Sequence, residues 1–258
     1  MVEQAVASGI VGRAIERGAL SVVVHDLRAF TTDRHRVVDD VPYGGGPGMV
    51  LKAEPIFRAL DAISAADGVA PTVILTSPQG AVFTQREAER LSRVGRLALI
   101  CGRYEGVDER VRARVDEEVS AGDYVLSGGE LPALIVVDAV ARHIPGVVGD
   151  AQSVAEDSFS RGLLDFPHYT RPATLQMAGR GPLAVPEVLL SGDHGAIRRW
   201  RKREAIRRTL ARRPELLETA VLDEEERQIL RELRDARNTG KVGSLEPGET
   251  RSTANGRD

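Results

Sequence analysis

Apolar residues in the first half of the chain come in short β-branched runs separated by amphipathic stretches, a pattern that predicts a parallel sheet with helices on both faces. Ser21–His25, Thr72–Ser77, Leu97–Cys101 and Tyr124–Ser127 read as strands, the middle two almost wholly apolar and therefore central. Helix starts are signalled locally. Pro55 suits a first helical turn, Thr84 with Glu87 forms a capping box, and Asp108 and Pro132 precede further helical segments, the last expected to be mostly buried. From Pro145 to about Leu164 the periodicity breaks into Gly, Ser, Asp and isolated apolar residues. Beyond Pro186 it becomes helical: Asp193 caps a segment to about Ala211, Pro214 opens another, and Asp223 with Glu226 caps a third. The predicted division is an α/β domain over 1–148, a mobile linker over 149–164, a small all-helical domain over 165–237 and a disordered tail over 238–258. The sequence contains no internal repeat.

A chain of 258 residues with 42% hydrophobic content can bury a substantial core. It has no apolar run of membrane-spanning length, and Glu3 interrupts an N-terminus without a signal-peptide core. A single cysteine, Cys101, excludes an internal disulfide and a multi-cysteine zinc site. The expectation is a cytoplasmic protein with no membrane association. Net charge of −3 gives no sign of a polyanionic partner, but it averages over an uneven distribution.

Four glycine-rich turns stand out: Tyr43–Gly48, Ser77–Gly80, Cys101–Gly106 and Leu126–Pro132. Three directly follow predicted strands, where open α/β sheets bind ligands, and glycine there lets backbone groups approach a ligand closely. Each alone is an ordinary tight turn; three converging predict a cofactor cleft. None continues into Gly-Lys-Ser/Thr or reads G-x-G-x-x-G between strand and helix, which weakens P-loop and Rossmann readings.

The second feature is basic. Arg198, Arg199, Arg201, Lys202 and Arg203 crowd around Trp200, with Arg207, Arg208, Arg212 and Arg213 beyond and Glu204 opposing. Ile197, Trp200, Ile206 and Leu210 are read as an inward apolar stripe with Trp200 in the core, leaving a positive face that suits nucleic acid. The competing reading pairs that face with the acidic run Asp223–Glu226. Polar residues also gather around the linker: Arg142 and His143 before it, Glu156 and Asp157 within it, and Asp165, His168, Tyr169 and Arg171 after it. Their spacing chooses no catalyst, and His168 has no second His or Cys at ligand spacing, so no metal centre is expected.

Longer motifs carry a resemblance: Asp33-Arg34-His35, Val38-Asp39-Asp40, Pro42–Met49, Cys101–Arg110, Gly122–Pro132, Glu156–Phe159, Gly162–Asp165, Pro167–Pro172 and Arg212–Leu217. In these the chain, over roughly Gly9 to Leu217, resembles the bacterial tRNA (guanine-N1)-methyltransferases, the TrmD family of the SPOUT superfamily. The resemblance implies a SPOUT-type parallel sheet with a trefoil knot. It implies S-adenosylmethionine held by Ser77, Pro78, Gly102, Tyr104, Glu105, Ala121, Gly122, Asp123, Tyr124, Val125, Leu126, Gly128 and Gly129. It further implies a homodimer with the active site at the subunit interface, acting on guanine 37 of the tRNA anticodon stem-loop and so maintaining the reading frame, and a requirement for Mg²⁺ without a dedicated protein cage.

The resemblance places a general base at Asp157 and an arginine at Arg142. Guanine N1 carries a proton, so methylation must remove it, and the charge that reaches O6 suits a guanidinium. Asp165, His168, Arg171 and the Arg198–Arg203 cluster would contact the RNA, and closure of the linker over a flipped guanine would desolvate Asp157. Members of the family begin with an apolar strand ending in Phe-Pro, and here Met1 opens into the following helix, so either the true start lies upstream, the preferred expectation, or the strand is absent and leaves a sheet edge or core groove uncovered. The rival reading of another class is a non-catalytic RNA-binding protein; the retained Arg142 and Asp157 argue against it.

Overall fold

The computed structural model describes residues 1–66, 68–149, 157–179 and 181–238. The chain forms two compact units, residues 1–155 and 156–258. The first runs α1 (Val2–Val6), α2 (Gly9–Glu16), β1 (Asp39–Asp40), β2 (Val50–Leu51), α3 (Ala53–Ala65), β3 (Thr72–Val82), α4 (Gln85–Leu91), β4 (Leu97–Cys101), β5 (Glu117–Ser120) and α5 (Glu130–Ala141).

Strands β4, β3 and β5 form a parallel sheet in that order. Strand β3 is central and buried on both faces, as alternation along a strand allows. Val73 and Leu75 pack with Ile56, Leu60, Ile100 and Val111, while Ile74 turns the other way onto Ala88, Leu91, Val119, Val136 and Val140. Helix α3 therefore covers one face and α4 with α5 the other. A third cluster joins Val6, Val11 and Ala14 to Ala141 and Val147, seating α1 and α2 against the end of α5. Thr84 accepts the Glu87 N–H at the start of α4, and Asp108 accepts the Arg110 N–H at the start of a 3₁₀ turn over Glu109–Arg114.

Two predicted strands are corrected. Ser21–His25 belongs to no strand: Val23 and Val24 are exposed, and it pairs with no strand among the described residues. Tyr124–Ser127 is a loop with Tyr124, Val125 and Leu126 exposed, and the strand lies earlier at β5, whose acidic residues disguise it. Glu117 and Glu118 are accommodated there by ion pairs to Arg90 and Arg112. Helix α5 is less buried than predicted, with Leu131 and Ile135 exposed.

The second unit contains β6 (Thr174–Met177), β7 (Gly181–Ala184), α6 (Glu187–Leu190), α7 (His194–Arg212) and α8 (Glu224–Asn238). The expectation of an all-helical domain is corrected by the antiparallel pair β6–β7. Thr174–Met177 does alternate polar and apolar residues, and Gly179 at φ 78° supplies the turn between the strands. Leu163, Ile206, Ile229, Leu230 and Leu233 form this unit's core. Asp193 caps α7 by accepting the Gly195 and Ala196 N–H groups. At α8 the capping box is reciprocal: Asp223 accepts from Glu226 N–H and Glu226 from Asp223 N–H.

The single apolar stripe expected of α7 is two separate faces. Trp200 and Ile206 are six residues apart, about 240° around a helix of 3.6 residues per turn, so they cannot share a side. Ile206 is fully buried in the core, while half-buried Trp200 and Ile197 line a groove elsewhere.

Residues 150–156 of the expected linker, including Glu156, and all residues of the expected tail beyond Asn238 lie outside the described residues. Residues 157–164 belong to the second unit and are tied into it. Leu164 N–H donates to Thr209 Oγ1, and Arg161 grips the buried carboxylate of Glu226 at 3.1 and 2.7 Å.

Candidate active site

An excursion within β3 and the loops that follow β4 and β5 hold the sequence-predicted cofactor residues. The register of β3 with β5 slips between Thr76 and Ala81, both of which pair with Val119, so Ser77, Pro78, Gln79 and Gly80 form an irregular excursion. Arg103 bridges to Gly128, and Gly129 N–H donates to Gly102 O at 2.7 Å, which brings the loop after β4 against the segment that leads into α5.

A buried hydroxyl organises this junction. Thr76 Oγ1 reaches Ile100 O at 3.0 Å and Gly129 O at 3.2 Å. Gly129 has no room for a side chain: a Cβ there would lie 2.1 Å from Thr76 Oγ1, 2.8 Å from Cys101 Cα and 2.9 Å from Gly102 N. Arg103 Nε donates to Glu130 Oε1 at 2.6 Å, closing the same turn from outside.

Around this floor the polar and aromatic side chains stay accessible. Tyr104 takes φ 57° and is exposed, as are Tyr124 and Val125. Tyr124 Oη donates to Ala121 O, and its ring lies over Gly122. Glu105 N–H donates to Met49 O, and its side chain packs on Gly48 at φ 90°, so the Tyr43–Gly48 turn joins the cluster. Burial, reinforced by the nearby Glu130 carboxylate, pushes the Cys101 thiol up to about 12, so this sulfur stays protonated.

Within the second unit, His168 Nε2 lies 2.7 Å from Asp165 Oδ2, and the His168 ring sits 4.6 Å from that of Phe166. Arg171 is exposed. The basic helix divides. Lys202 bonds Asp223 and Glu225, and Arg203 bonds Glu232, as the competing reading anticipated in part. Arg198, Arg199 and Arg201 make no ion pair among the described residues and are exposed. Arg142 ends α5 in the first unit and Asp157 opens the described part of the second, each half-buried.

The described residues include no group of three or more His, Cys, Asp or Glu able to hold a metal ion, and no helix long and apolar enough to cross a membrane. Sequence reading missed Thr76, Arg103 and Glu130. A threonine inside the apolar run Val73–Leu75 was the available signal for the first; the other two stood inside motifs quoted for their glycines.

The sequence profile of the family described as tRNA (Guanine-1)-methyltransferase TrmD matches residues 1–219. The chain belongs to this family. Proteins named tRNA (guanine-N(1)-)-methyltransferase are 58% identical over 213 residues in Heliobacterium modesticaldum, covering 81% of this chain and 77% of the relative. The protein of that name from Dictyoglomus turgidum is 49% identical over 225 residues, covering 87% and 89%. The one from Halorhodospira halophila is 53% identical over 233 residues, covering 90% and 86%. The TrmD match thus takes in the whole cluster of loops around Thr76 and Gly129, as well as Asp165, His168 and α7.

Proposed function

We propose that the chain is an S-adenosylmethionine-dependent tRNA (guanine-37-N1)-methyltransferase that acts in the cytoplasm as a homodimer. The observation that carries this reading is the Thr76–Gly129 junction. It gathers the loops at 77–80, 102–106 and 121–129 at the carboxyl end of a parallel sheet, in a chain of the TrmD family. Backbone groups held this close, flanked by Tyr104, Tyr124 and Leu126, suit a ligand with a flat base and a polar tail. In this reading the segment from Ala121 to Gly129 is part of the trefoil knot. Leu131, Leu134 and Ile135 of α5 form, with Tyr124 and Leu126, an apolar surface groove beside the cofactor loops, which supports burial against a second copy.

When bound, S-adenosylmethionine supplies an electrophilic methyl group. The protein must then take the proton from guanine N1 as the new N–C bond forms. Asp157 accepts that proton and Arg142 stabilises the charge reaching O6. Asp165, His168 and Arg171 orient the nucleotide, and Arg198, Arg199 and Arg201 face its phosphates; Lys202 and Arg203 serve mainly to hold α7 on α8. In this reading transfer requires Mg²⁺, held without a dedicated protein cage. The product would keep the anticodon in frame.

Transfer of labelled methyl to unmodified tRNA carrying guanine at positions 36 and 37 tests this reading, with a tRNA bearing adenine at 37 beside it. Label in the guanine tRNA alone is expected. Binding of both without label would replace the enzyme by a binding module.

A further inference from the structure

Ser77, Pro78, Gln79 and Gly80 are inserted into β3 at the point where Thr76 and Ala81 both pair with Val119, so the ladder that fixes the rest of the strand does not fix these four residues. Two contacts do, and both reach Glu118. Gly80 lies on the Glu118 backbone, where a Cβ would stand 2.5 Å from Glu118 O and from Val119 N. Gln79 Oε1 accepts from Arg112 Nη2 at 2.8 Å, while Arg112 Nη1 donates to the Glu118 carboxylate. Inside the excursion the Gln79 N–H donates to Ser77 Oγ at 3.1 Å, which couples the placement of Gln79 to that of Ser77 and Pro78.

Arg112 has little freedom of its own. Its Nε lies 2.8 Å from Glu109 Oε1 in the same 3₁₀ turn. A guanidinium is a planar fork whose donors leave in fixed directions, so the pair with Glu118 aims the remaining arm at Gln79. Among the described residues no other side chain from outside the excursion hydrogen-bonds to it. A lysine could neutralise Glu118, but as a compact point charge it would not also present a fixed donor to Gln79.

We infer that Arg112 is a positioning residue: through Gln79 it holds the Ser77–Pro78 backbone in the shape that receives S-adenosylmethionine. The inference rests on the proposed methyltransferase reading and adds to it a residue from outside the cofactor loops.

Calorimetric titration with S-adenosylmethionine and urea midpoints of the full-length protein test it in the wild type, Arg112→Lys, Gln79→Ala and the double variant. Arg112→Lys keeps a cation for Glu118 and gives up the arm on Gln79; Gln79→Ala removes the acceptor and spares the ion pair. Each single substitution should weaken binding roughly 3- to 10-fold, and the double no further than the weaker-binding single, because both cut the same link. KM for S-adenosylmethionine should rise with Kd while kcat holds. A lowered urea midpoint with unchanged affinity in Arg112→Lys would leave Arg112 as a partner of Glu118 alone and overturn the inference. Losses that add in the double variant would make Gln79 a cofactor contact independent of Arg112, with the same consequence. Unchanged affinity in Gln79→Ala, which alters no buried charge, would overturn it even if the Arg112 variant failed to fold. Wild-type protein that bound no S-adenosylmethionine would overturn it together with the methyltransferase reading, whereas undiminished binding in every variant would overturn it alone.

Discussion

Thr76 and Gly129, 53 residues apart in sequence, meet through a hydroxyl-to-carbonyl contact of 3.2 Å inside a junction with no space for one further carbon. Gly129→Ala must push its Cβ into Thr76 Oγ1 and the backbone of Cys101 and Gly102, displacing the floor of the site. Cofactor affinity should fall at least about tenfold, with a loss of stability of about 1–3 kcal/mol. Thr76→Val keeps the shape and removes the donor, costing about 1 kcal/mol. Calorimetric titration with S-adenosylmethionine and urea melts of both variants check this ordering.

Proton removal and charge stabilisation should separate from binding. Asp157→Asn is expected to slow single-turnover methyl transfer by about 10²–10⁴-fold, and Arg142→Ala by about 10²–10³-fold, with tRNA affinity changed far less. Unchanged single-turnover rates in Asp157→Asn would remove it as the base.

Among the described residues, Leu131 and Ile135 on α5 leave their apolar side chains exposed. Ile135→Glu sets a carboxylate on that face and should convert a dimer into a folded monomer, read by sedimentation velocity with circular dichroism as the control on folding. A wild-type monomer at micromolar concentration would contradict the proposed homodimer.

Cys101 offers a pH test. Its thiol is raised to about 12 in the folded state, from an ordinary value near 9. The folded protein therefore holds this proton more tightly than the unfolded chain, so the associated stability is present below about pH 9 and is lost as pH rises toward 12. Alkylation at pH 8 should be slower by on the order of 100-fold in native protein than in urea. Equal rates would place the sulfur in an open, unperturbed setting.

What the sequence made legible was local. Thr84 with Glu87 and Asp223 with Glu226 announce helix starts because a cap is settled within four residues, and the apolar runs at Thr72 and Leu97 announce strands buried on both faces. Strand β5 was hidden because Glu117 and Glu118 are tolerated only through Arg90 and Arg112, partners that sequence distance conceals. Tyr124–Leu126 carries strand-like side chains that belong to an exposed loop. The loops proposed to hold the cofactor were visible as glycine turns, but their meeting point depends on the long-range Thr76 contact, which no spacing rule contains. On α7, the outline of a basic helix was correct while the division of its apolar residues between two faces required the fold.

That division leaves α7 with two jobs on separate stretches of one rod. Ile206 and Thr209 anchor it in the core, whereas Ile197, Trp200 and Arg201 border the groove. Substitutions at the groove end leave the core of the unit intact, so the first two turns of this helix are free to change in sequence while the rest is held by the fold.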